Sequence, residues 1–230
     1  MIFSVGHSNL DREAFIGLLA AGPVAEVWDI RSYPNSRWEQ FRREQLEQWL
    51  PEAGLGYRWV RELGGRRGVH KPDPASPPAS GSDTVAKGSA AGSGTVLTGP
   101  SHETRSRAAK SDPPLAQASL FAPGEAGRPH WQSEGFEHYM WYMASDEFLA
   151  AAGELLLAGR RTDLAMMCAE GLWWRCHRSM VSDFVVYAGG DVVHLQPQRT
   201  SHQAAIGDRL DRYEPDVLAA WDRWLASRPV

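Results

Sequence analysis

With 230 residues, 43% of them hydrophobic, the chain has the length and apolar content for one large domain or two small ones, and its ten tryptophans are unusually many. A formal net charge of −4 at pH 7 argues against a protein that coats nucleic acid by bulk electrostatics. No run approaches the roughly 20 apolar residues that span a bilayer and no signal-peptide pattern precedes the first strand, so the expected location is the cytoplasm, where both cysteines stay reduced.

Ile2 to Gly6 reads as a first strand, and Asp11 to Ala20 as a helix with Ser8, Asn9 or Asp11 available as N-cap and Gly22 as a stop. Val24 to Ile30 is a second strand, Glu44 to Ala53 a second helix interrupted late by Pro51, and Tyr57 to Val60 a third strand running into Leu63-Gly64-Gly65. Between Arg31 and Lys71, nine Lys/Arg stand against five Glu, a local excess of positive charge in an acidic chain. From Pro72 to Pro129 the composition turns to Pro, Ser, Gly and Ala, with Phe121 the only aromatic residue. Such a segment cannot bury enough apolar surface to offset its ordering entropy. Residues 72–129 therefore read as a disordered insertion in one α/β domain made of residues 1–71 and 130–230.

The globular pattern resumes at His130. Glu134 to Ala144 is a helix with a Phe136/Tyr139/Tyr142/Met143 face, and Asp146 to Ala158 a second helix carrying Phe148, Leu149, Leu155 and Leu156. Asp163 to Cys168 is a fourth strand, the next helix begins near Arg175, Val192 to Leu195 is a fifth strand, and Asp208 to Leu225 adds an outer amphipathic helix. Strands and helices alternating at this spacing predict βαβ units, hence a single Rossmann-like α/β domain with a mainly parallel, roughly five-stranded sheet.

In a parallel sheet all C-terminal strand ends share one edge, where helix N-termini open into a crevice. The chemically purposeful residues follow that rule. His7, Ser8 and Asn9 follow strand one; Asp29 and Arg31 end strand two; Glu62, Gly64 and Gly65 follow strand three; Cys168 and Glu170 end strand four; His194 lies near the end of strand five. The stretch from Met166 to Arg178 is the densest, holding both cysteines, Glu170, Trp173, Trp174, Arg175, His177 and Arg178.

Several blocks also carry a resemblance: Val5-Gly6-His7-Ser8-Asn9; Asp29-Ile30-Arg31-Ser32 with Pro34 and Ser36-Arg37; Leu63-Gly64-Gly65-Arg66; Phe136-Glu137-His138-Tyr139-Met140-Trp141-Tyr142-Met143; and Met167-Cys168-Ala169-Glu170 with Trp174-Arg175-Cys176-His177-Arg178. In that order the chain resembles the family called domain of unknown function 488. The resemblance implies an α/β domain whose activity is not settled. The insertion is longer than the family pattern, and Glu137 stands where the family usually has a basic residue.

Cys176, at a predicted helix N-terminus between Arg175 and Arg178, has the surroundings of a thiolate; the plainer reading is a buried, inert cysteine. Adjacent helical residues point about 100° apart, so His177 is not expected to serve Cys176 as base, and His7 from another strand end takes that role. Cys168 and Arg175 are one residue too far apart for a cysteine-phosphatase loop, and the glycine-rich cradle is missing. Cys168 and Cys176 also fall outside the two-to-four spacing of zinc knuckles, so no metal is assigned, and a zinc site from Cys168, Cys176, His177 and His7 would need convergence across the sheet.

Asp29 and Arg31 share a strand face and read equally as a structural ion pair or a substrate contact. Trp173 and Trp174 read as a core anchor or as a platform for stacking a base. The peptide Gln117-Ala118-Ser119-Leu120-Phe121 resembles those by which bacterial repair and replication proteins bind the sliding clamp, with Gln117, Leu120 and Phe121 as anchors.

These readings predict an enzyme, a hydrolase or transferase acting on a phosphorylated or nucleotide-type ligand, with a setting in nucleic-acid repair or processing. His7, Glu170, Cys168 and Cys176 are the candidate catalytic residues. Ser8, Asn9, Asp29, Arg31, Arg37, Arg66, Trp173, Trp174, Arg175, His177 and Arg178 are the candidate binding residues. The rival expectations are a non-catalytic module that binds a nucleotide or anionic metabolite, and a metal-dependent hydrolase.

Overall fold

Two strands of the computed structural model are buried along their whole length, β1 (Ile2–Gly6) and β4 (Leu164–Cys168). Their near-continuous apolar runs suit central parallel strands covered on both faces. The structure describes residues 1–66, 133–196, 198–203, 206 and 209–228, so the predicted insertion and the Gln117/Leu120/Phe121 peptide lie outside the described residues. β2 (Glu26–Asp29), β3 (Gly56–Trp59), β5 (Val192–His194) and β6 (Thr200–Ser201) complete a sheet of order β3-β2-β4-β1-β5-β6. The first five strands are parallel. β6 runs antiparallel to β5 at the edge, and its two exposed polar residues give no apolar alternation by which to find it.

Alternate strand residues face opposite layers. Phe3, Val5, Val27, Ala165 and Met167 pack with Phe15 and Leu19 of α1 (Arg12–Ala20) and Leu46, Trp49 and Leu50 of α2 (Arg43–Glu52). Ile2, Trp28, Leu164, Met166 and Val192 pack on the other face with α3 (Glu134–Tyr142), α4 (Asp146–Arg161), α5 (Arg178–Tyr187) and α6 (Pro215–Ala226). The chain leaves β1 for α1 on one face and leaves neighbouring β4 for α5 on the other. The ends of β1 and β4 therefore part into a topological switch point, the place where open α/β sheets bind ligands. Pairing of Gly6 with Cys168 and of Asp29 with Met167 sets the three strand ends level there.

Helix starts follow from capping chemistry. The Asp11 carboxylate accepts from the Ala14 amide at 2.8 Å and the Ser145 hydroxyl from the Phe148 amide at 3.2 Å, opening α1 and α4. α6 is not an outer addition as expected: Trp221 is fully buried, edge-on to Phe184, and its indole donates to the Met143 carbonyl at 3.1 Å. α5 starts at Arg178 rather than near Arg175. Trp173–Arg175 form a single 3₁₀ turn, and Cys176 after it is extended, with φ −130 and ψ 149. Among the described residues no helix is long and apolar enough to cross a membrane.

Candidate active site

A cleft of about 590 Å³ opens at the C-terminal ends of β2, β3 and β4, beside the switch point, lined by Arg31, Ser32, Gly65, Arg66, Phe136, Tyr139, Cys168, Glu170, Arg175, Cys176 and His177 among others. Its volume lies within the few hundred to about 1,000 Å³ typical of small-molecule sites. Five separate segments contribute, from the ends of β2, β3 and β4, the start of α3 and the turn before α5.

The floor is sulfur and imidazole. Cys168 and Cys176 are both buried free thiols. His177 Nδ1 lies 3.4 Å from Cys176 Sγ and 3.9 Å from Cys168 Sγ. His177 Nε2 is 2.9 Å from the Ile30 carbonyl, which can only accept, so Nε2 carries a proton and Nδ1 faces the sulfurs. Burial alone would raise the Cys176 thiol, but the hydrogen bond from Cys168 and the Arg178 guanidinium lower it to about 6. The same hydrogen bond, together with burial, pushes Cys168 up to about 12. The pair therefore shares its first ionisation, with the charge on Cys176.

Arg178 explains much of this polarity. It is fully buried, donates to Ser4 Oγ at 3.2 Å and to the Glu170 carbonyl, and makes no ion pair with a carboxylate among the described residues. A buried guanidinium demands a compensating anion, and the Cys176 thiolate is the one the geometry supplies. The same close packing fixes Gly6, because a Cβ there would lie 1.8 Å from the Glu170 carbonyl oxygen. Gly65 is likewise required, since its Cβ would lie 2.5 Å from His177 Cγ.

A second buried cluster braces the cleft wall. Arg31 and Asp29 form a two-pronged ion pair (Nε to Oδ1 2.8 Å, Nη2 to Oδ2 2.5 Å), and Tyr57 OH adds a donor to Asp29 Oδ2 at 2.9 Å. Arg31 Nη1 donates to the Phe41 carbonyl at 2.9 Å and lies 3.3 Å from His7 Nε2. Guanidinium cannot accept, so His7 Nε2 is the acceptor and Nδ1–H donates to the Ser8 carbonyl at 3.1 Å. Burial, then the Arg31 charge, lowers His7 to about 4, and its ring stacks on Phe41 at 4.3 Å.

These positions correct two expectations. His7 is not the base beside Cys176: it holds Arg31 and does not line the cleft. His177 does reach Cys176, because Cys176 is extended rather than helical and the 100° rule for neighbouring helical residues does not apply. Asp29 and Arg31 pair with each other, leaving Arg31 few donors for a ligand although it borders the cleft.

Of the other candidates, Glu170, Arg66 and Arg175 line the cleft and are exposed. Ser8, at φ 46, and Asn9 lie at the turn after β1, outside the lining, and Arg37 is exposed over the Trp38 ring. Trp173 and Trp174 do not meet the cleft: Trp173 stacks on buried His194 at 3.9 Å, and Trp174 sits edge-on to it at 5.5 Å.

Of a third cluster, behind that tryptophan, sequence reasoning singled out only His194. His194 Nε2 lies 2.9 Å from His202 Nδ1, and His202 Nε2 lies 2.7 Å from Asp183 Oδ1. Asp183 also takes a forked pair from Arg209 and a hydrogen bond from Tyr213 at 2.8 Å. The available signal was Asp183 itself, a carboxylate inside the apolar run Met180-Val181-Ser182-Asp183-Phe184-Val185. Tyr139 was missed as a cleft residue too; it packs edge-on to His177 at 5.4 Å and donates to the Leu63 carbonyl at 2.7 Å.

Set against known proteins, the chain matches no curated protein and no solved structure. It does match the family model described as domain of unknown function DUF488, over residues 11–85 and 114–185. These two segments make up more than half of the chain and carry both the Arg31 and the Cys168/Cys176/His177 sides of the cleft, so the protein belongs to the DUF488 family.

Proposed function

We propose that the cleft belongs to an enzyme, a hydrolase or transferase, that acts on a phosphorylated or nucleotide-type ligand. The observation that carries this reading is the makeup of one wall and one floor: exposed Arg66 and Arg175 on the rim, with two buried thiols and an imidazole beneath them. Guanidinium groups recognise phosphate oxygens through paired, charge-assisted hydrogen bonds. Arg66 and Arg175 hold the anion, and the Asp29-neutralised Arg31 fixes the wall rather than binding by its full charge. Glu170, exposed at the mouth, moves protons, and Cys176 with Cys168 acts as nucleophile or polariser of the bound group.

The rival reading, a module that binds a nucleotide or anionic metabolite without turning it over, draws on the same rim. The two separate in one experiment. A panel of nucleotides and sugar phosphates is screened for thermal stabilisation of the wild type and of Arg66→Ala/Arg175→Ala, and the stabilising compounds are incubated with wild type and Cys176→Ser to look for products. Stabilisation lost in the arginine variant, with product formed by wild type and not by Cys176→Ser, is the expected result. Binding without any product favours the module, and no stabilisation by any compound overturns both readings.

A further inference from the structure

We propose that Cys168, Cys176 and His177 bind a zinc ion whose fourth ligand comes from the cleft. The argument begins with distances. In a tetrahedral site with Zn–S near 2.3 Å and Zn–N near 2.05 Å, a sulfur and a nitrogen ligand stand about 3.6 Å apart. Here Nδ1 of His177 is 3.4 Å from one sulfur and 3.9 Å from the other, and all three ligand atoms lie within 4.8 Å of one another. The three atoms thus stand near the corners of such a tetrahedron before any ion enters.

Orientation agrees with spacing. A histidine that ligates a metal through one ring nitrogen ordinarily donates the other N–H to a carbonyl or carboxylate, which fixes tautomer and ring plane. His177 does this toward Ile30, with its ring further held by Tyr139 and Gly65. Mixed thiolate and imidazole ligation in a near-tetrahedral arrangement selects zinc among the common cations.

The long interval between the two cysteines fits this arrangement. A knuckle draws two cysteines from one tight loop, whereas here Cys168 ends β4 while Cys176 and His177 lead into α5, so the ligands come from the two sides of a strand-to-helix crossing. Three protein ligands are the pattern of a zinc site that keeps a position for water or substrate.

All three side chains line the cleft, so that position opens onto it. Two thiolates neutralise the ion, and buried Arg178 beside Cys176 leaves the centre one positive charge in excess, which favours hydroxide or an anionic ligand oxygen as the fourth ligand. The proposal rests on the phosphorylated-ligand reading only for what completes the coordination, since the metal site itself needs no ligand.

Metal analysis of protein purified without chelator, followed by cobalt substitution of the metal-stripped protein, tests it. One zinc per chain is expected, with thiolate-to-cobalt charge transfer in the near ultraviolet and tetrahedral d–d bands in the visible. Cys168→Ser and His177→Gln are expected to weaken zinc binding more than the about 10- to 100-fold typical of outer-shell changes, while Arg66→Ala/Arg175→Ala leaves it unchanged. Should a variant fail to fold, zinc competition and cobalt spectra of the wild type still decide. Octahedral cobalt spectra, metal content unaffected by both ligand variants in folded protein, or no zinc and no cobalt binding would each overturn the proposal. The phosphorylated-ligand reading would stand or fall separately by the arginine variant.

Discussion

His177 Nε2 donates to the Ile30 carbonyl at 2.9 Å, and this one hydrogen bond ties the turn before α5 to the end of β2 while aiming the opposite nitrogen at two sulfurs. A backbone acceptor cannot be lost by side-chain substitution, so the ring is best disturbed from its other side.

Gly65→Ala does that. Its Cβ would stand 2.5 Å from His177 Cγ and 2.6 Å from Nδ1, so the ring must move. Zinc or cobalt affinity is expected to fall at least about tenfold, in line with outer-shell disturbances of metal ligands. Gly17→Ala is the control: nothing lies within 4 Å of its Cβ in the interior of α1, and it should stabilise the fold by about 0.5–1 kcal/mol. Equal affinity in wild type and Gly65→Ala would show that His177 is not held as described.

Asp29→Asn removes the countercharge of buried Arg31 and weakens the hydrogen bonds that hold it. Removing one partner of a buried ion pair costs about 3–5 kcal/mol, and urea denaturation should report a loss of that size. Glu47→Gln, which breaks the exposed Arg43–Glu47 pair, should cost less than about 1 kcal/mol. Comparable losses for the two would mean that the Asp29–Arg31 pair does not brace the wall.

Burial, then the charges around it, lowers His194, and burial with the Arg31 charge lowers His7 to about 4. Both are therefore neutral in the folded protein at pH values where an unfolded histidine, near 6.5, takes up a proton. The unfolded histidines bind more protons below pH 6.5, so the stability these two groups contribute is full above that value and falls as pH drops, by up to about 1.4 kcal/mol per pH unit for each group, while the lowered Cys176 thiol adds a slope of the same sign above pH 6. Denaturation midpoints measured from pH 7.5 to 5 should show this slope. His194→Gln should lower the slope below pH 6 by about one group's share, and an unchanged slope there in that variant would refute the assignment.

The layout of strands and helices was legible because β1 and β4 are near-continuous apolar runs, α1 and α4 have clear N-caps, and the helices have apolar faces. The rule that parallel strand ends share an edge also put Arg31, Cys168 and Glu170 beside one cleft. Side-chain direction was not legible. Whether Cys176 is helical or extended depends on a 3₁₀ turn that the sequence Trp173-Trp174-Arg175 does not announce, and that detail decides which histidine meets the thiol. Nor does a one-dimensional pattern reveal that His7 faces α2 and Phe41 while Cys168, beside it in the sheet, faces α3 and α5. The Asp183 network joins residues from α5 to Tyr213, and only the fold brings them together.

The central claim is that strand-end residues from distant parts of the chain form one cleft for a phosphorylated or nucleotide-type ligand. Mass spectrometry of small molecules and nucleic acid released from purified protein tests it most directly, comparing wild type with Arg66→Ala/Arg175→Ala at equal loading. A phosphorus-containing species retained by the wild type and largely lost from the variant is the predicted result. Retention of no such species, or equal retention by both proteins, would contradict it.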